Sequence, residues 1–90
     1  MFHFEGLQED NPRQVDLIRT DLDVALTLVQ VARQTRDGAK ASRSRHKARK
    51  AYDAIVRYVG GADLTRSEQI DITRKLALLK SGLMSLGEPI

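Results

Sequence analysis

The 90-residue chain contains no cysteine. That removes disulfide bridges, thiolate metal sites and cysteine nucleophiles together. It has no tryptophan and four aromatics, Phe2, Phe4, Tyr52 and Tyr58, so any core must be built from Leu, Ile, Val and Ala. No apolar run approaches the roughly 18 residues that cross a bilayer, and no basic segment followed by an apolar stretch marks a signal peptide at the N-terminus. The expectation is a soluble, cytoplasmic protein with no membrane partner. Strand alternation, internal repeats and low-complexity segments are also missing, which leaves the helix as the one regular element the pattern supports.

What is present fits one small globular domain. Apolar residues make up 41% of the chain and charged residues 30%, enough to bury one modest core and too apolar for a disordered chain. The net charge of +3 is unevenly spread. Residues 1–35 carry three basic and six acidic side chains, residues 36–58 eight and two, and residues 59–90 four and four. The basic middle is the main physical lead to function.

Punctuation and period predict three helices. In DNPRQVDLI, Asn11 can cap and Pro12 suits the first helical position, where its missing N–H is harmless. Val15, Ile18, Leu22, Ala25, Leu26, Val29 and Ala32 then recur at the spacing of an amphipathic helix over about 12–35. Asp37 is a cap for a second helix over about 38–59. Its apolar stripe runs Ala41, Ala48, Tyr52, Ile55 and Val59, small residues first, which implies close neighbours near Ala41 to Ala51. Gly60 and Gly61 are expected to end it in the left-handed conformation. Thr65 and Glu68 form a T-x-x-E capping box for a third helix over about 66–86, whose core face is Ile72, Leu76, Leu79, Leu83 and Leu86. Gly82 permits close packing there or marks a frayed end. The short loops make neighbouring helices antiparallel. The prediction is an all-α, up-down-up three-helix bundle over 12–87, preceded by an extended arm over 1–11.

The first helix has a second apolar face. Advancing about 100° per residue from Leu22 places Leu17, Val24, Leu28 and Val31 roughly 180° to 240° from the core centre. A helix apolar on opposite sides has both sides covered. In a three-helix bundle the other two helices cover one. The second cover is another copy of the chain, a different helical protein, or the arm folding back with Phe2, Phe4 and Leu7. Homo-oligomerisation through Leu17, Val24, Leu28 and Val31 is the leading expectation, because two-fold contacts are the commonest route to assembly.

The basic residues of the second helix point the other way from its core. Measured from Ala48, Lys40, Arg43, His46, Lys47, Lys50 and Arg57 fall between about 160° and 280°, with Arg45 and Arg49 on one flank. A solvated face has this appearance, since lysine and arginine are good helix formers. The solvated face is the leading reading, and two features keep a binding role open beside it. Most of these cations lie near the positive end of the helix dipole, and Asp53, between Arg49 and Arg57 at i−4 and i+4, is the one acid among them from Lys40 to Arg57. Lys40, Arg43, Lys47 and Lys50 are therefore the candidate anion-binding patch, with nucleic-acid phosphate as the alternative partner. No aromatics interleave with them to stack on bases, and no zinc-finger, RNP or GXXG motif accompanies them.

No chemistry-bearing motif stands out. His3 and His46 have no metal-ligand spacing, Ser42 and Ser44 have no evident base, and no glycine-rich loop cradles phosphate. Catalytic, cofactor and metal sites are accordingly expected to be absent. Tyr52 lies on the core face and is read as a packing residue. The segment KARKAYDAIVRYV, residues 47–59, resembles single helices of tetratricopeptide and microtubule-interacting-and-trafficking modules in the spacing of its alanines and tyrosine. The resemblance covers one helix without the repeat of the former, and implies no site or partner. The reading is a non-enzymatic helical protein that works by association, its biological process left open.

Overall fold

The computed structural model describes residues 10–90, with side chains described from residue 14 onward. The predicted arm, with Phe2, His3, Phe4 and Leu7, lies outside them. Among the described residues the architecture is all-α: helices α1 (Asp10–Gln34), α2 (Gly38–Gly61) and α3 (Arg66–Ser85), packed as the expected three-helix bundle.

α1 is 25 residues long and begins two residues earlier than its proline suggests. Pro12 still falls in the first turn, where backbone N–H groups have no intrahelical acceptor, so it costs no ladder bond. The α1–α2 turn is short because Asp37 caps α2 at once: its Oδ1 accepts from the N–H of Ala39 (3.0 Å) and of Lys40 (3.2 Å). The capping box of α3 is complete. Glu68 N–H donates to Thr65 Oγ1 (3.1 Å), and Thr65 N–H donates to Glu68 Oε1 (2.9 Å).

Two expectations are overturned. Asn11 does not cap α1, because the helix already begins at Asp10 and Asn11 lies inside it. Gly60 and Gly61 do not end α2 in a left-handed turn. Both are helical, and among the described residues only Gly87 has positive φ. α2 runs on until Ala62, which leaves the helix in an extended conformation (φ −88°, ψ 146°) while its N–H donates to Val59 O at 3.3 Å. The glycines are permitted to be left-handed, but nothing requires it when the following residue can make the exit. The left-handed cap occurs instead at Gly87 (φ 96°), after α3. Glu88 N–H reaches Leu83 O and Gly87 N–H reaches Met84 O, both at 3.0 Å. This is the Schellman pattern of helix termination.

Cross-helix pairs fix the topology. Arg19–Asp71 (3.3 Å), Asp23–Lys75 (3.6 Å) and Arg33–Ser85 (2.9 Å) run in the same order along α1 and α3, so these two are parallel. α2 runs back antiparallel to both and packs chiefly on α1, its end beside the start of α1, with Arg45 and Arg49 beside Glu88 after the C-terminal end of α3. The exposed ion pairs mark register more than they stabilise, each being worth about 0–1 kcal/mol. The stabilising term is the aliphatic core: Ile18, Leu22, Ala25 and Val29 of α1, Ala48 and Ile55 of α2, and Ile72, Leu79 and Leu83 of α3. Full burial of each large side chain is worth about 1.5–3 kcal/mol. Tyr52, Leu76 and Leu86 pack around it half-buried.

Gly82 marks a close approach between α1 and α3. It is buried, and a Cβ built on it would stand 2.9 Å from Val29 Cγ1. Of the two roles the sequence allows this glycine, close packing is the one it has.

Candidate association and anion-binding surfaces

The α1 stripe is uneven. Leu17 and Val24 are 62% and 53% exposed. Leu28 and Val31 are half-buried, and Leu28 packs against the core cluster. The difference follows from where α2 lies. On an α-helix, Leu28 falls about 60° from Ala25, which is fully buried, so Leu28 sits at the shoulder of the core. Val24 falls a further 40° or so around the helix and escapes cover. Beside Leu17, the start of α1 and the end of α2 enclose an open groove of about 470 Å³, lined by Gln14, Leu17, Ile18, Asp21, Arg57 and Tyr58 with Gly61 and Ala62. Tyr58 is 61% exposed. Sequence periodicity misses it, because one exposed aromatic on a basic helix carries no pattern. The residues that gather at this end are apolar, with one acid and one arginine at the margin.

Six of the seven Lys and Arg residues of α2 divide into two sets, which the sequence does not reveal; the seventh, Arg57, lines the groove beside Leu17 and forms no ion pair among the described residues. Arg45 and Arg49 have partners. Arg45 Nε lies 3.1 Å from Glu88 Oε2, an ion pair without a hydrogen bond. Arg49 Nε donates to both carboxylate oxygens of Asp53 at 3.2 Å, and its Nη1 donates to Glu88 Oε1 (3.1 Å) and Pro89 O (3.2 Å). The hydrogen bonds to Asp53, together with the one to Glu88 and the charges of both carboxylates, hold the Arg49 guanidinium pKa above its ordinary value. The Schellman turn at Gly87 carries Glu88 back to this flank. Lys40, Arg43, Lys47 and Lys50, in contrast, are all exposed, and none has an acidic partner among the described residues. His46 is exposed among them.

This second set is electrostatically unfavourable by itself. Residues 38–52 contain no Asp or Glu. Lys40–Arg43, Arg43–Lys47 and Lys47–Lys50 are like-charge neighbours at i+3 or i+4, each costing about 0.2–0.5 kcal/mol at low salt. Lys40 lies in the first turn, where the helix dipole opposes a cation. Asp37 is the nearest acid, and its carboxylate is engaged in capping.

Among the described residues no group of three His, Asp or Glu side chains converges as metal ligands would. No helix of the described residues is long and apolar enough to cross a membrane. The chain matches no protein-family model, no curated protein and no solved structure.

Proposed function

We propose that the protein is a non-enzymatic assembly unit of the cytoplasm that associates with a second copy of itself through the outer face of α1. The reading rests on one observation: Leu17 and Val24, at heptad spacing, stand more than half exposed on a helix whose opposite side is the bundle core. Leu28 and Val31 continue the stripe half-buried, and Tyr58 adds an exposed ring beside Leu17. Two-fold pairing lays this stripe on its own copy, so that each aliphatic residue serves both partners. A different helical protein with a complementary stripe is the second occupant the same chemistry accepts.

The test is the mass in solution, by light scattering on a sizing column, of the parent and of a Leu17→Glu, Val24→Glu variant. These two positions are chosen because they are exposed; a charge at Leu28 would also disturb the core. A dimeric parent and a monomeric, folded variant support the reading. A monomeric parent at 100 µM, or a variant of unchanged mass, refutes it.

A further inference from the structure

We infer that the outer face of α2 binds the phosphate backbone of duplex nucleic acid through Lys40, Arg43, Lys47 and Lys50, without reading sequence. The proposal is independent of the self-association stripe and rests on which cations are left without partners.

A solvated basic helix commonly mixes signs, so that each cation meets an acid three or four residues away. Here the fold supplies acids selectively. Glu88 is carried to the flank of Arg45 and Arg49, and Asp53 completes that set. Lys75 is matched by Asp23 and Asp71, and Arg19 by Asp71. The four outer cations form no ion pair among the described residues, although Asp37 and Asp53 stand three residues from Lys40 and Lys50. Arg57, Arg66, Arg74 and Lys80 are likewise unpaired there; what sets the four apart is that they lie within about 15 Å of one another along one face. An external anion or salt relieves their mutual repulsion. A polyanion does this more effectively than separate ions, because its binding releases condensed counterions.

The geometry favours a long, regular anion. The four side chains share one sector of a helix that is unbroken from Gly38 to Gly61. From Lys40 to Lys50 the axis rises about 15 Å, a length over which a duplex presents about nine phosphate charges. Between Lys40 and Lys50 this face carries no Phe, Tyr or Trp, its one ring being that of His46, and the exposed Tyr58 lies about 12 Å further along the helix, so stacking on unpaired bases has little platform among the cations. Glutamine and asparagine are absent from it, and the three lysines supply flexible point charges that suit phosphate better than base edges, which favours backbone contact over direct readout. An anionic bilayer fits less well, since the sector offers no bulky apolar residue to enter the headgroup region.

The experiment is fluorescence anisotropy of the full chain with a labelled 20-base-pair duplex of arbitrary sequence, titrated from about 50 to 200 mM salt. Four phosphate contacts predict a slope of log K against log salt near −3.6. The variant Lys40→Gln, Lys47→Gln, Lys50→Gln should lose at least about tenfold in affinity at 50 mM salt, and its slope should become shallower by about 2.7. The control Arg66→Gln, Arg74→Gln, Lys80→Gln removes the same charge from exposed positions of α3 and should keep most of the affinity and the slope. Helical circular dichroism should be unchanged in both, glutamine being a comparable helix former. No binding at 50 mM salt overturns the proposal. So do equal losses in the two variants, which would make net charge the cause, and tighter binding to single strands or to anionic vesicles than to the duplex.

Discussion

Replacing Gly82 by alanine should destabilise the protein, although it puts a better helix former into a helix. The propensity gain is about 1 kcal/mol. Against it stands the new methyl group, 2.9 Å from Val29 Cγ1 and 3.6 Å from Arg33 Nη2. Carbon atoms pack best at about 3.5–4.0 Å, so α1 and α3 must part by more than half an ångström, or Val29 must turn. Val29 cannot turn cheaply. It is buried in the core cluster, and a β-branched residue in a helix has one strongly preferred rotamer. Overpacking of this kind costs about 1–3 kcal/mol, which leaves a net loss of about 1 kcal/mol. A double-mutant cycle isolates the cause. Val29→Ala alone should cost about 2 kcal/mol, for two lost methyl groups and a cavity. In that background the obstruction is gone and the Gly82→Ala methyl group has space, so the second change should stabilise by about 1 kcal/mol. The coupling is therefore about 2 kcal/mol, well above the additivity error for independent sites. Urea unfolding followed by circular dichroism measures all four proteins, with a common m-value as the control for the unfolded state. A stabilised Gly82→Ala single variant, or two changes that add within about 0.5 kcal/mol, would show that α1 and α3 do not approach as closely as this packing requires.

The other glycines predict different signs by the same assay. Gly60→Ala and Gly61→Ala should each stabilise by about 0.5–1 kcal/mol, because both are helical with nothing within 4 Å of a new Cβ; losses at both would mean that they serve as the left-handed cap after all. Gly87→Ala should cost about 1–2 kcal/mol for holding alanine at a φ of 96°, and a neutral result would dismiss the Schellman turn. Asp37→Ala and Thr65→Ala should each cost about 1 kcal/mol through lost capping, with Asp37→Asn retaining most of the stability; an equal loss in the asparagine variant would point to charge instead of the cap hydrogen bonds.

Much of the bundle is legible in the sequence because its signals are local. The core residues Ile18, Leu22, Val29, Ile55, Ile72, Leu79 and Leu83 follow from helical period alone, and Asp37 and Thr65 follow from capping chemistry that needs only the next few residues. Glycine is harder to read. The same residue type is a helix interior at Gly60 and Gly61, a close approach at Gly82 and a left-handed cap at Gly87. The first and last are decided by the backbone that follows, and Gly82 by a valine more than fifty positions away.

The two candidate surfaces were legible to different depths for a related reason. Period placed Leu17, Val24, Leu28 and Val31 on one face, but exposure depends on how far α2 wraps α1. That wrapping separates Val24, in solvent, from Leu28, against the core. On α2, composition shows a basic stripe without showing which charges are spent. Arg45 and Arg49 share Glu88, some forty residues on, with Asp53 as a second acid for Arg49, and Glu88 reaches them because Gly87 reverses the chain at the end of α3. Without that reversal Glu88 would not be turned back to this flank, and Arg45 would lose its acid while Arg49 kept Asp53. The turn after α3 therefore sorts the basic residues of α2 into a structural pair and an outward array, and it is the array whose charge stays exposed.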